Sequence, residues 1–235
     1  MRIVSGTLKG RRISPPKKLP VRPTTDRAKE ALFNILVHQY DFENCTVLDL
    51  FSGTGSISYE FGSRGVASIV AVDQHQGCIR FISQTATALS LPITAVKMPV
   101  LLFLERNSNS YDFIFADPPY AFELTTYKTM IDSIFEKKAL SDDGLLIVEH
   151  AEQVDLSDIA HFSHARSYGG CVFSFFTCWL LFSRTEQVFL FGFCQTLISR
   201  RCNLIQNSIY LLLINSIRGC RFGTSLGTLG FGPAI

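Results

Sequence analysis

Short apolar runs separated by longer segments of mixed polarity dominate the first 150 residues. The runs near 45–50, 68–73, 93–97, 111–116 and 144–149 are rich in Val, Ile, Leu and Phe and are bounded by Gly, Asp or Pro, which predicts buried strands. The intervening segments predict helices. The clearest runs from about Asp26 to His38, with Ala28, Ala31, Leu32, Ile35 and Leu36 on one face. Thr24 and Thr25 are its candidate N-caps, and Asp26 sits favourably near its N-terminus. Such alternation predicts parallel strands joined by right-handed crossovers. Two further strands, near 160–167 and 171–177, are joined by Ser167-Tyr168-Gly169-Gly170, a hairpin connection that closes the sheet antiparallel. The expected fold is therefore α/β, a seven-stranded Rossmann-like sheet with its last strand reversed.

Residues 2–20 read differently, as a small hairpin of apolar pairs among Gly, Lys and Pro, followed by an extended Pro15-Pro16 linker. Charge separates this arm from the body. Residues 1–30 carry nine Lys or Arg against Asp26 and Glu30, a balance of +7; the whole chain nets only +2, so the remainder carries −5. A basic arm on a mildly acidic body suits a nucleic-acid substrate, with Arg2, Lys9, Arg11, Arg12, Lys17 and Lys18 as candidate phosphate contacts.

With 235 residues, 47% of them hydrophobic and 18% charged, the chain is long enough to bury a real core and global disorder is excluded. The seven cysteines include no C-x-x-C pair and no His at metal-ligand spacing, so no zinc site is expected. An odd count without a signal peptide points to reduced thiols and a cytoplasmic location.

Two motifs carry the chemistry. Asp117-Pro118-Pro119-Tyr120 follows the apolar run Phe113–Ala116. A strand ending in an acid and two residues without N–H groups presents a carboxylate and backbone carbonyls to one spot. Acceptors of this kind favour the pyramidal, attacking form of an exocyclic amine, and Tyr120 offers a face for a base to stack on. Upstream, Asp49-Leu50-Phe51-Ser52-Gly53-Thr54-Gly55 reads as a strand end followed by Gly-x-Gly at a turn into a helix, where the backbone can approach a nucleotide-like ligand closely. Ser58 stands where the dinucleotide fingerprint wants a third glycine, which disfavours NAD. Asp73 ends the next apolar run at the distance from the glycines where an acid binds ribose hydroxyls. Together the motifs point to S-adenosylmethionine lying over neighbouring strand ends with its methyl group aimed at an amine.

These residues, with Arg2-Ile3-Val4-Ser5-Gly6, Lys9-Gly10-Arg11, Arg22-Pro23-Thr24-Thr25-Asp26-Arg27 and Ala31–Leu36, resemble in order the motifs of the bacterial 16S ribosomal RNA guanine-N2-methyltransferases of the RsmD type, over residues 1 to about 176. The resemblance implies a class I S-adenosylmethionine-dependent methyltransferase fold and S-adenosylmethionine as donor. It also implies one guanine N2 of 16S rRNA as acceptor, within a partly assembled 30S subunit, and a monomer with no membrane partner. By the same carry-over Asp49, Phe51, Gly53, Gly55 and Asp73 hold the cofactor, Arg22 and Thr25 flank its pocket, and Asp117, Pro118, Pro119 and Tyr120 engage the target base. The implied domains are an arm over 1–24 and a catalytic domain over 25–176.

Two departures stand out. Where the family has an acid after its third strand, this chain reads Val96-Lys97-Met98-Pro99-Val100, which puts the adenine contact in question. Residues 177–235 resemble nothing in the family and are expected to be a hydrophobic tail foreign to the fold, as from a frameshift. The competing functions are N6-adenine methylation, which the same Asp-Pro-Pro-Tyr motif serves, and an RNA-binding assembly module whose catalysis has lapsed.

Overall fold

The computed structural model describes residues 1–16, 19, 26–119, 121–168 and 170–178. The candidate caps Thr24 and Thr25 and residues 179–235 of the expected tail lie outside these.

Helix α1 spans Asp26–Gln39, with Asp26 in the first turn and His38 in the last, both complementing the macrodipole. It is followed by β1 (Thr46–Leu50), α2 (Ser56–Ser63), β2 (Ser68–Asp73), α3 (Gln76–Ala88), β3 (Ile93–Lys97), α4 (Val100–Arg106), β4 (Tyr111–Ala116), α5 (Leu124–Glu136), β5 (Leu140–Ala151), β6 (Phe162–Tyr168) and β7 (Cys171–Thr177). All seven strands pair into one sheet in the order β3-β2-β1-β4-β5-β7-β6. The first five are parallel. β7 runs antiparallel between β5 and β6, so the hairpin expected at residues 167–170 inserts the last strand beside β5.

β5 is longer than its apolar run suggests. The strand expected near 144–149 begins at Leu140, with Tyr111 paired to Leu140 and a register shift before Phe113 pairs with Leu145. The irregularity lets a polar, exposed stretch stay in the strand without displacing the buried run that follows.

Strand alternation divides the core between the two faces. Leu48, Leu50, Ile114, Ala116, Leu146 and Val148 pack with α4 and α5, through Leu104, Met130, Ile131 and Ile134. Val47, Phe113, Phe115, Leu145 and Ile147 pack on the other side with Leu32, Phe33 and Leu36 of α1 and Ile57 and Phe61 of α2. Helices on both faces of a parallel sheet are what makes its strands near-continuously apolar.

The N-terminal arm is closed on itself and clamped to the body. Arg2 and Arg12 form an antiparallel bridge. Ile3 N–H donates to Arg11 O at 3.0 Å, and Ile3 packs with Ile13 and Tyr59. Thr7 N–H donates to Ser63 O at 2.7 Å. Gly6, at φ 83°, lies so close to α2 that a Cβ would fall 1.9 Å from Ser63 O, so this contact requires glycine.

Beneath the arm lies a buried ionic knot. Lys29 (1% exposed) and Glu60 (0%) pair at 3.3 Å, Arg64 reaches Glu60 Oε2 at 2.5 Å, and Lys29 also approaches Asp26 at 3.4 Å. Lys29 Nζ donates to Arg2 O at 2.8 Å, and Glu60 Oε1 accepts from Val4 N–H at 2.8 Å. The apolar face read for α1 is thus altered: Lys29 and Phe33 are buried, whereas Ala31 and Ile35 are half-buried. A buried charge persists only when its partners stay in place. Glu60→Ala, which removes the buried anion shared by Lys29 and Arg64 and orphans Val4 N–H, is expected to cost about 3–5 kcal/mol in urea unfolding; a loss under about 1 kcal/mol would show that the knot is not what anchors the arm.

Candidate active site

After β3 the chain crosses to the other side of β1 to form β4, so β1 is the strand at which the winding direction reverses. In such sheets the loops leaving neighbouring strands in opposite directions open a crevice at the carboxyl edge. Here Leu50 is in register with Val72 on one side and Ala116 on the other. Ser52 N–H donates to Val72 O at 3.0 Å and Asp117 N–H to Leu50 O at 3.4 Å. The glycine loop, Asp73 and the Asp117-Pro118-Pro119 corner therefore rise together from the tips of three adjacent strands.

Phe51 (φ 58°), Gly53 (φ 52°) and Gly55 (φ 80°) all adopt left-handed backbone, which coils the loop tightly before α2 begins. A Cβ on Gly55 would meet the Tyr59 ring at 2.9 Å. Gly55 N–H closes the turn onto Ser52 O at 2.7 Å. Gly53 N–H donates to Asp73 Oδ2 at 2.9 Å, while Asp73 Oδ1 accepts from His75 N–H at 2.7 Å. Asp73 thus braces the loop and the start of α3, and its two oxygens retain lone pairs for a ribose diol.

Asp49 is 2% exposed and faces the first turns of α2, where it accepts from Ser58 N–H at 3.1 Å and Ser58 Oγ at 2.5 Å. Ser58 is the residue that replaces the third glycine of the dinucleotide pattern, and it is here the partner of the loop's buried acid. Burial outweighs those two hydrogen bonds and, with Asp73 nearby, pushes the Asp49 carboxyl up to about 7.

Across the crevice Pro118 is buried, Pro119 is exposed and Asp117 is half-buried. The Pro119 carbonyl, expected to face the amine, instead accepts from Phe122 N–H at 2.9 Å, and the Phe122 ring meets Phe51 edge-on at 5.4 Å. The two motif loops therefore pack on each other through an aromatic contact. Burial, then the charges of Glu149 and Asp49, hold the Asp117 carboxyl well above the usual carboxylate range.

Glu149 on β5 is a site residue that the sequence reading missed, and Phe122 is another. The signal for Glu149 was present, since Leu145–Val148 is an apolar run closed by an acid, as are those ending at Asp73 and Asp117. At the remaining expected cofactor contact, Pro99 caps α4 and Met98 N–H donates to Asp73 O at 3.1 Å, so no acid stands after β3. The donor set nonetheless fits an adenosyl group, with a coiled glycine backbone, the Asp73 carboxylate, apolar Phe51 and Met98, and the buried Ser56 Oγ, which has no hydrogen-bond partner among the described residues.

Arg2 is engaged by Asp26 and Glu30, each at 3.7 Å. Lys9, Arg11 and Arg12 are exposed, and the last two line a shallow hollow of about 280 Å³ with Phe81 and Gln84 of α3. Lys17, Lys18, Arg22, Thr25 and Tyr120 lie outside the described residues.

The raised Asp49 carboxyl has a consequence for stability. The folded protein keeps this proton to about pH 7, whereas the unfolded chain releases it near 3.8. The folded state binds more protons in that window, so stability falls as pH rises through it, by roughly 4 kcal/mol at most for a shift of this size. Asp49→Asn is expected to flatten the dependence of the urea midpoint on pH between about 4 and 7; an unaltered slope would count against the buried acid as its source.

Residues 1–177 match the family model described as conserved hypothetical protein 95. The chain is 31% identical over 163 residues to the Bacillus subtilis protein YlbH, covering 67% of this chain and 86% of that protein. It is 29% identical over 150 residues to the ribosomal RNA small subunit methyltransferase D of Escherichia coli K12, covering 63% and 74% respectively. A solved structure of a hypothetical protein from Thermus thermophilus superposes with a TM-score of 0.66 at 24% identity, covering 75% of this chain and 99% of that one. The strand order, the paired loops at the β1 and β4 tips and this match over three quarters of the chain lead to one conclusion: the protein belongs to the conserved hypothetical protein 95 family, whose members include small-subunit ribosomal RNA methyltransferase D.

Proposed function

We propose that the protein methylates the exocyclic N2 of a guanine in 16S rRNA, using S-adenosylmethionine. The observation that carries this reading is the adjacency of the glycine loop and the Asp117-Pro118-Pro119 corner, joined by the Asp117 N–H to Leu50 O bond and the Phe51–Phe122 contact. The relatives' names support an rRNA substrate.

S-adenosylmethionine supplies an activated methyl group on a sulfonium, so the protein needs no covalent intermediate. Its own residues orient and accept. Asp73, with the loop at Phe51, Gly53 and Gly55, holds the nucleoside end, and Asp49 keeps that loop coiled from beneath through Ser58. Arg22 and Thr25 flank the pocket. Asp117, beside Pro118 and Pro119, accepts a hydrogen bond from N2 and draws its lone pair towards the methyl carbon, while Tyr120 stacks on the base. Guanine N2 in a stacked helix is out of reach of such a crevice, so the base enters flipped or already looped out.

In this reading residues 25–176 form the catalytic domain, and residues 1–24 carry the RNA contacts Arg2, Lys9, Arg11, Arg12, Lys17 and Lys18. Because the arm is clamped to α1 and α2, it offers phosphates a rigid basic edge. The substrate is rRNA in a partly assembled 30S particle, met by a cytoplasmic monomer. No helix among the described residues is long and apolar enough to cross a membrane.

Nucleoside mass spectrometry of 16S rRNA treated with the protein and S-adenosylmethionine is expected to show N2-methylguanosine, and N6-methyladenosine in its place would overturn the choice of base. Asp117→Ala is expected to lower turnover on the order of 100-fold, the scale for removing a preorganised polar group at a reacting centre. RNA binding without calorimetric heat from S-adenosylmethionine would instead indicate an assembly module.

A further inference from the structure

The basic arm meets α3 in a hollow whose two walls differ in kind. One wall is Arg11 and Arg12 of the hairpin; the other is Phe81, Gln84, Thr85 and Ala88, which follow one another at i, i+3, i+4 and i+7 and so share one face of the helix. The hairpin wall is held by its own ladder, in which Ile3 N–H donates to Arg11 O and Ile13 N–H to Met1 O, each at 3.0 Å. Phe81 packs on the cluster of Ile3, Ile13 and Tyr59 but is only half-buried, so part of its ring opens on the hollow. Neither wall brings an acid. The chain has no Asp or Glu in residues 1–25 or in 74–104. Arg11 and Arg12 make no ion pair among the described residues, whereas Arg2 is taken by Asp26 and Glu30. Arg12 also borders a second hollow with Met1, Arg2 and Asp26, and there Asp26 is engaged by Arg2 at 3.7 Å and by Lys29 at 3.4 Å.

Resting on the rRNA reading above, we propose that this hollow is a second nucleotide subsite, outside the methyl-transfer crevice, which holds one unpaired nucleotide flanking the target. Its base lies against the Phe81 ring, the Gln84 amide offers donor and acceptor to the base edge, and Arg11 and Arg12 take the adjoining phosphates. Stacking on a side chain needs a base whose face is free, so a paired stretch cannot enter. The hollow, at about 280 Å³, is smaller than pockets that enclose a whole cofactor and suits a single base. Its place fits as well. Ile82, next to Phe81, faces the glycine loop, where a Cβ on Gly55 would lie 3.0 Å from its side chain. One helix width, roughly 10 Å, therefore separates the hollow from that loop, a span that a few nucleotides of strand can cross. Every base has a π-face, so the subsite adds affinity and register without choosing a sequence.

The test uses the full chain and reads RNA binding without S-adenosylmethionine, which keeps it apart from methyl transfer. The probe is a short fluorescent oligouridylate, alone or annealed to oligoadenylate. Phe81→Leu, which keeps the apolar packing and removes the ring, should weaken single-strand binding about tenfold, the scale of one base–aromatic stack, and leave its salt dependence and the duplex affinity unchanged. Phe81→Tyr should restore binding. Arg11→Gln with Arg12→Gln should weaken single strand and duplex alike and flatten the salt dependence by about two phosphate contacts. With 5-iodouridine in the probe, ultraviolet cross-links on the wild type should map to the peptide carrying Phe81. Absence of that cross-link overturns the subsite, as does wild-type single-strand affinity in Phe81→Leu or an equal loss for single strand and duplex. Normal RNA binding by the variants with methylation lost only on 30S particles assigns the hollow to a ribosomal protein and overturns it too. A wild type that methylates 16S rRNA but shows no dependence on Phe81 sinks the subsite alone; one that binds no RNA sinks the rRNA reading with it.

Discussion

Burying carboxylates at the carboxyl tips of parallel strands is the constraint on which the rest of this structure depends. A buried acid must find N–H donors, a partner charge or a proton, because desolvation otherwise makes it too costly to keep. Each acid here has found a different answer. Asp73 takes the N–H groups of Gly53 and His75, and in doing so sets the path of the glycine loop and the start of α3. Asp49 takes Ser58 and still sits near its titration point at neutral pH. Asp117, at the β4 exit beside Glu149 of β5, is biased towards its protonated form. The loops that would receive a nucleoside are thus shaped by the same groups that would act on it.

A second constraint links the basic arm to that site. Glu60 lies in α2, the helix that begins directly after Gly55, and its carboxylate is shared by Lys29, Arg64 and the amide of Val4. Arg64 also stacks its guanidinium over the Phe33 ring at 4.0 Å, which covers the knot from the side of α1. One buried anion therefore fixes the arm, the first helix and the helix carried by the glycine loop in a common frame.

The departure at Pro99 fits this picture. In place of an acid after β3, the chain offers Met98, whose N–H ties that strand's exit to Asp73 O and whose side chain packs against the core with Phe51. The crevice beside β3 is bounded here by apolar and main-chain groups, with Asp73 as its acid.

Much of this was legible in the chain itself. The apolar runs ending at Leu50, Asp73, Lys97 and Ala116 are strands within a residue of their expected limits, because a doubly covered parallel sheet demands continuous apolar runs of that length. The Gly53 and Gly55 turn and the Asp117-Pro118-Pro119 corner were visible for the same local reason: backbone that coils left-handed or lacks N–H groups needs particular residue types. What the sequence could not decide was partnership. Lys29 reads as a solvated charge until Glu60, thirty-one positions away, meets it in the interior. Glu149 reads as a strand end until register sets it beside Asp117, and the strand read from 144 extends back to Leu140 only because Tyr111 of β4 pairs there. Local composition determines which segments become strands, helices and tight turns. Only the packed sheet determines which charges are stripped of water together, since that depends on neighbours distant in the chain.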